Sequence, residues 1–354
     1  MTPELGIIEG YFGRPWSFAD RTAVMQSLAP HGYRFFHYAP KGDEFLRRRW
    51  REEHPAEMRG ALTAFAAACR AAGVRFGVGL SPYEVYRNFD DDARATLRAR
   101  VAQLDALGLD DLAILFDDMR GDIPDLAERQ ATIIACVAEC TRASRLIMCP
   151  SYYTDDCILD RVFGNRPPNY LEQLGRLLDP AVQIFWTGEE VCARDFSPGH
   201  LQDVAQRLGR KPFLWDNYPV NDGPRMSRFL HVRAFTGRPA SIAPHVAAHA
   251  INPALQPTLS CIPALTLVES YAEGDRYSYM KAFRNAARTI MGDDLARLLE
   301  GDLLSVQDGG LDSLGERATK LRARWSAHTH PAAQEIVAWL DGAYAVTGEM
   351  LQTQ

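Results

Sequence analysis

The sequence predicts a (β/α)8 TIM barrel followed by a small C-terminal α-helical domain, and three observations lead there. Short apolar runs alternate with longer amphipathic stretches eight times over about the first 270 residues, the span of a closed barrel rather than of an open doubly wound sheet. Polar and aromatic residues collect directly behind those runs. Beyond about Ser270 the strand pattern stops and the remainder reads as helix.

The strand-like runs are, in order, Leu5 to Glu9, Tyr33 to Tyr38, Val74 to Leu80, Leu112 to Phe116, Leu146 to Cys149, Val182 to Trp186, Phe213 to Trp215 and, more weakly, Val246 to Ile251. Their near-continuous apolar character suits parallel strands buried on both faces. Between them lie amphipathic segments such as Met58 to Ala72, where Leu62, Phe65, Ala66 and Cys69 share one helical face. Ser17 and Asp20 have the spacing of a capping box for the first helix. The later segments Tyr277 to Met291, Leu295 to Leu304, Leu311 to Trp325 and Ala332 to Thr347 read as helices, with Gly309 and Gly310 as a turn. Helices this short gain little alone, so they are expected to pack on the barrel. The expected division is residues 1–270 for the catalytic barrel and 271–354 for the helical domain.

The length of 354 residues and a 47% hydrophobic content support a large buried core. A net charge of −6 without long basic runs argues against nucleic acid or an anionic membrane as partner and for a small or neutral ligand. No apolar stretch reaches the roughly 18 residues of a membrane span, and no secretory pattern opens the chain, so a cytoplasmic location is expected. The seven cysteines, Cys69, Cys136, Cys140, Cys149, Cys157, Cys192 and Cys261, are odd in number and lack CxxC spacing. They read as reduced packing residues. Neither cofactor nor metal is expected, and the sequence is compatible with a homodimer.

Strand-end residues carry the chemistry: Glu9 and Gly10, Lys41 and Asp43, Asp117 and Asp118, Tyr152 and Tyr153, Trp186 and Thr187, Trp215 to Asn217, and Asn252. In a β/α barrel all of them reach the C-terminal mouth, where such enzymes place catalysis. A single Asp or Asn there commonly caps a helix or makes a turn. Seven such endings are hard to read as caps. Repulsion between adjacent Asp117 and Asp118 separates their protonation and leaves one as a candidate proton donor near neutral pH. The bland alternatives are a solvated pair or a metal site recruiting Asp43, Asp216 or Asp222. Trp186, Trp215, Tyr153 and Tyr11 would form an aromatic wall, with Lys41, Asn217, Asp222 and Asn252 as hydrogen-bonding groups. That mixture suits a sugar, apolar on its faces and hydroxylated at its edges.

At these residues the sequence resembles glycoside hydrolase family 84, the β-N-acetylglucosaminidases that include protein O-GlcNAcases. The matching segments run in order: GIIEGYFGRPWS (Gly6 to Ser17), YAPKGD (Tyr38 to Asp43), WRE (Trp50 to Glu52), LFDDM (Leu115 to Met119), CPSYY (Cys149 to Tyr153), WTGEEV (Trp186 to Val191), WDNYPVND (Trp215 to Asp222) and INP (Ile251 to Pro253). The resemblance implies a retaining exo-β-N-acetylglucosaminidase in which the substrate's own 2-acetamido oxygen attacks the anomeric carbon, forming an oxazoline without a protein nucleophile. It assigns Asp117 to the acetamido N–H and Asp118 to the general acid and base. Tyr153 would meet the acetamido oxygen, Asp222 the O4 and O6 hydroxyls, and Lys41 and Asn252 hydroxyls at C3 and nearby. Gly10 would let the sugar approach the backbone. Trp215 and Asn217 would complete the wall, and Thr187 and Val191, in the WTGEEV segment, are expected beside it. The implied partners are N-acetylglucosamine glycosides or O-GlcNAc glycoproteins.

The chain departs from the family pattern at Gly42, where an acidic residue is usual, at Leu46, where a His is usual, at Tyr83 in place of Gly, and at Tyr152 in place of Glu. These changes are expected to alter the leaving-group side. The chain also ends before the stalk or acetyltransferase-like domain of some relatives. Alternatives of other classes are a non-catalytic sugar-binding barrel and a metal-dependent hydrolase; within the enzyme class, an endo-acting, hyaluronidase-like enzyme. Keeping both Asp117 and Asp118 speaks against the first. The second lacks histidines at strand ends, since His37 lies inside a strand.

Overall fold

Glycines face bulky rings between adjacent strands, which lets the sheet curl. A Cβ on Gly6 in β1 (Glu4–Glu9) would lie 2.2 Å from the ring of Phe35 in β2 (Tyr33–Tyr38), so only hydrogen fits there. The computed structural model describes residues 2–354, and in it β1, β2, β3 (Arg75–Leu80), β4 (Asp111–Leu115), β5 (Arg145–Cys149), β6 (Gln183–Trp186), β7 (Phe213–Asp216) and β8 (Ala248–Ile251) close in sequence order. All pairings are parallel, and β1 joins β8 from Glu4↔Ala248 to Ile7↔Ile251. The predicted β/α barrel is thus the observed fold. Phe35, His37, Phe185 and Phe213 pack together with ring centroids 4.7–6.2 Å apart, filling the centre as side chains of alternate strand positions do. His37 belongs to this filling, with its Nε2 2.9 Å from Asp111.

The connecting helices are α1 (Phe18–Leu28), α2 (Ala56–Ala71), α3 (Asp91–Asp105), α4 (Leu126–Ala138), α5 (Ile158–Phe163), α6 (Tyr170–Leu177), α7 (Pro198–Leu208) and α8 (Pro257–Glu273). The capping box of α1 is present: the Asp20 amide donates to Ser17 Oγ, and the Ser17 amide donates back to Asp20. In α2, Leu62, Phe65, Ala66 and Cys69 are buried on one face as the spacing predicts.

The remaining helices are α9 (Tyr279–Leu303), α10 (Gly310–Leu314), α11 (Arg317–Ser326), α12 (Pro331–Leu340) and α13 (Gly348–Thr353). Gly292, at φ 78°, kinks α9 where the sequence places a break between two helices. The expected helix Leu311 to Trp325 is cut by Gly315 at φ 51°, and Ala332 to Thr347 ends early at Leu340 before Gly342. The barrel and these helices share one buried apolar cluster, to which Trp325, Ile336 and Trp339 contribute. Glu335 ties them further. Its carboxylate accepts the amides of Thr258 and Leu259, 2.8 and 2.9 Å away, at the open N-terminus of α8.

Candidate active site

A cavity of about 240 Å³ lies at the C-terminal mouth of the barrel. Gly10, Asp117, Asp118, Tyr153, Thr187, Val191, Trp215, Asn217, Asp222 and Asn252 all line it, so ten of the eleven site residues expected from sequence converge. The eleventh, Lys41, stands behind the wall. Its buried ammonium pairs with Asp117 Oδ2 and lies 3.6 Å from Asp118 Oδ2.

The two acids differ in surroundings. Asp117 is 5% exposed, and its Oδ1 has no hydrogen-bond partner among the described residues. A buried carboxylate oxygen left open is costly, so a donor that docks against it gains strongly. The Asp118 side chain is 25% exposed and accepts a 3.1 Å hydrogen bond from the Tyr153 hydroxyl. Burial, followed by the nearby Asp118 and Asp117 charges, pushes the Tyr153 phenol well above its ordinary range and keeps it a proton donor. The backbone of Asp118 is left-handed, at φ 56°, and its carbonyl accepts a 3.1 Å bond from Arg47 Nη2. The turn after β4 thereby presents two successive carboxylates to one cavity.

The opposite wall is held by amides. Asn252 Oδ1 accepts the Gly10 amide at 3.1 Å, while its Nδ2 donates to Asn217 Oδ1 at 3.0 Å. Asn217 Oδ1 also accepts Trp215 Nε1 at 3.0 Å, and Asn217 Nδ2 donates to the Val191 carbonyl at 2.8 Å. This network fixes the Trp215 ring. A Cβ at Gly10 would sit 1.9 Å from that ring, so packing against Trp215 already demands a glycine there. Asp222 accepts the Phe12 amide at 2.9 Å. Burial is the largest influence on it and, with the Asp118 charge, outweighs that bond, pushing its carboxyl up to about 6.

Several expected members lie elsewhere. Trp186 is fully buried outside the cavity and donates from Nε1 to His200 at 3.1 Å. It is the outward residue of a strand whose inward neighbour, Phe185, supports Trp215 with centroids 5.1 Å apart. Tyr11 turns inward to Glu9 and the Trp16 amide, and the next residue, Phe12, takes the wall position. Glu9 pairs with Arg21 at 2.8 Å, and Asp43 accepts from Tyr38, His54 and the Phe45 amide, so both brace loops. Asp216 points to the outer face of β7, where it pairs with Arg238 and with His249, itself bonded to Tyr271 of α8. Tyr152 is buried against Tyr170, donates to the Gly164 carbonyl and does not line the cavity. All seven cysteines are unpaired; against the expectation of packing residues, Cys149 and Cys192 line the cavity and Cys157 and Cys192 are exposed. The sequence reading also missed Leu351, a cavity residue contributed by α13.

A family profile described as beta-N-acetylglucosaminidase matches residues 5–301. The Protein O-GlcNAcases of Mus musculus and Rattus norvegicus are each 26% identical to the chain over 257 residues, covering 70% of this chain and 28% of theirs. The chain therefore spans under a third of the length of those relatives. Among solved structures, an Asp-to-Asn mutant of the Thermobaculum terrenum O-GlcNAc hydrolase matches with a TM-score of 0.78 at 26% identity, covering 95% of this chain and 80% of that one.

Proposed function

The chain belongs to the beta-N-acetylglucosaminidase family, and from that premise we propose that it is a retaining, exo-acting hydrolase removing β-linked N-acetylglucosamine by substrate-assisted catalysis. The observation that carries this reading is the unpartnered Oδ1 of buried Asp117 beside the better-exposed Asp118. An acetamido N–H is the donor that oxygen lacks. With the N–H held there, the acetamido oxygen attacks C1 as the C1–O bond breaks, and Asp118 gives its proton to the leaving oxygen. Positive charge develops on the forming oxazolinium, where the Asp117 carboxylate is placed to balance it. Asp118 then deprotonates water, which attacks C1 from the face the aglycone left and restores the β anomer.

Lys41 pairs with Asp117 and orients it rather than touching sugar. Tyr153 aims Asp118 and is near enough to meet the acetamido oxygen, while Asp222 and Asn252 are available for hydroxyls. A cavity of about 240 Å³, walled on one side by α13, favours a single terminal sugar over the open cleft of an endo-acting enzyme. We place the chemistry in residues 1–270 and treat 271–354 as its helical buttress. Seven unpaired thiols support a reducing, cytoplasmic setting, and no helix among the described residues is long and apolar enough to cross a membrane.

The test is turnover of 4-nitrophenyl N-acetyl-β-glucosaminide against 4-nitrophenyl β-glucoside, with the product anomer followed by NMR. Strong preference for the first with β product released is expected. Equal turnover of the two, an α product, or a glycosyl ester trapped on any Asp or Glu would overturn the reading.

A further inference from the structure

The last helix does more than finish the fold. α13 lies across the barrel mouth, and Leu351, 37% exposed, is one of the few large apolar side chains left uncovered; it lines the cavity. The segment is fastened at both sides. On one side Gln354 Oε1 accepts the Gly13 amide at 2.7 Å, beside Phe12, whose own amide is bound by Asp222. On the other, Arg47 donates through Nε to the Gln354 carbonyl at 3.1 Å and through Nη2 to the Asp118 carbonyl, while Arg48 donates to the Gln352 carbonyl at 2.8 Å. One guanidinium thus joins the turn that carries Asp118 to the segment that carries Leu351.

Three departures from the family pattern meet this contact. Gly42 leaves room for the Gln354 amide, which would lie 3.4 Å from a Cβ there. The Tyr83 ring stacks beneath Arg47 and Arg48, at 5.3 and 4.2 Å, and holds their guanidinium groups in place. Leu46 is buried under the same turn and accepts the Ser81 amide at 2.7 Å.

We propose that α13 is the leaving-group wall of this site, with Leu351 as the specificity-determining contact for a small apolar aglycone. The proposal rests on the cavity being the N-acetylglucosamine site. Because Arg47 anchors the segment at Asp118, the group that protonates the leaving oxygen, the aglycone must emerge beside Leu351. A flat or aliphatic aglycone gains contact there. A glycoprotein, whose backbone continues in both directions from the linkage, meets the strap.

The test is calorimetric binding of the phenyl and methyl β-C-glycosides of N-acetylglucosamine, whose bond from C1 to the aglycone is carbon–carbon and cannot be hydrolysed, to the full chain and to Leu351→Ser and Gln354→Ala. The wild type is expected to prefer the phenyl compound by about 10-fold, the scale of a modest hydrophobic contact in a pocket. Leu351→Ser should abolish that preference, and Gln354→Ala, which loosens the strap without touching the ligand, should reduce it. Turnover of an O-GlcNAc peptide relative to 4-nitrophenyl N-acetyl-β-glucosaminide should rise in both variants. A phenyl preference that persists in Leu351→Ser, or peptide and aryl turnover that fall together, overturns the proposal alone. Failure of both C-glycosides to bind the wild type overturns the sugar site itself.

Discussion

Lys41 and Asp117 form a buried ion pair behind the cavity wall, and the pairing uses only one oxygen of the carboxylate. The lysine is spent on the acid, so its loss acts through Asp117. Lys41→Met should cost about 3–5 kcal/mol, because it strands a buried carboxylate. In Lys41→Met/Asp117→Asn part of that stability should return while activity does not. Thermal melts of the two single variants and the double variant check this; strictly additive losses would show that the pair is not coupled.

Asp118→Asn should lose about 10²–10⁴-fold on alkyl N-acetyl-β-glucosaminides and far less on those with activated phenols, which need little protonation. Rates plotted against leaving-group pKa should steepen. An unchanged slope would remove Asp118 from the acid's role.

Asp117→Asn should behave differently, because it weakens the charge balance on the oxazolinium. Its loss should persist on the best leaving groups. A thiazoline mimic of the intermediate should bind the wild type far more tightly than product does, and Asp117→Asn should erase most of that difference. Full thiazoline affinity in the variant would contradict the assignment.

Glu335 gives a pH prediction. Burial, opposed by its bonds to Thr258 and Leu259, pushes its carboxyl up to about 7. An unfolded Glu titrates near about 4.3, so below that both states are neutral and the group contributes nothing. As pH rises from there through 7 the unfolded chain ionises first, and the native state is progressively penalised, by on the order of 3–4 kcal/mol when complete. Wild-type stability should therefore fall across this window relative to Glu335→Gln, with the gap constant above about pH 8. Melts at pH 4, 6 and 8 measure it; a gap that narrows with rising pH is the contrary result.

Gly10→Ala would drive a methyl into the Trp215 ring, which Asn217 holds from the other side. Overpacking should cost about 1–3 kcal/mol and, by tilting the cavity wall, raise KM at least about 10-fold. An unchanged KM would show that the ring moves freely.

Sequence reasoning reached the barrel because buried parallel strands leave uninterrupted apolar runs, and the site because strand ends in a barrel converge. It erred by one residue where alternation decides. Trp186 and Tyr11 have the right character, yet successive side chains point to opposite faces, and Thr187 and Phe12 are the ones that reach the cavity. Reading Phe185 as inward would have placed Trp186 outward. Lys41 was legible as a site residue but not as the partner of Asp117, since a charge pair 76 positions apart leaves no local trace. Leu351 was invisible for the same reason. Nothing in a short polar helix of GEMLQT composition says that the chain returns to the mouth.

The left-handed backbone of Asp118 makes that position conformationally selective as well as chemical. Asn and Gly adopt φ near +60° readily, whereas Ala costs about 1 kcal/mol or more and β-branched residues worse. An alanine there removes the proposed proton donor and also urges the turn toward another geometry, carrying Asp117 and the Arg47 anchor with it. The alanine variant therefore measures two losses at once, and asparagine is the substitution that isolates chemistry from shape. In a random library, residue 118 should tolerate Asn and Gly as folded, inactive proteins and return other substitutions with altered aglycone preference or lower yield, because one backbone torsion there serves both ends of the pocket.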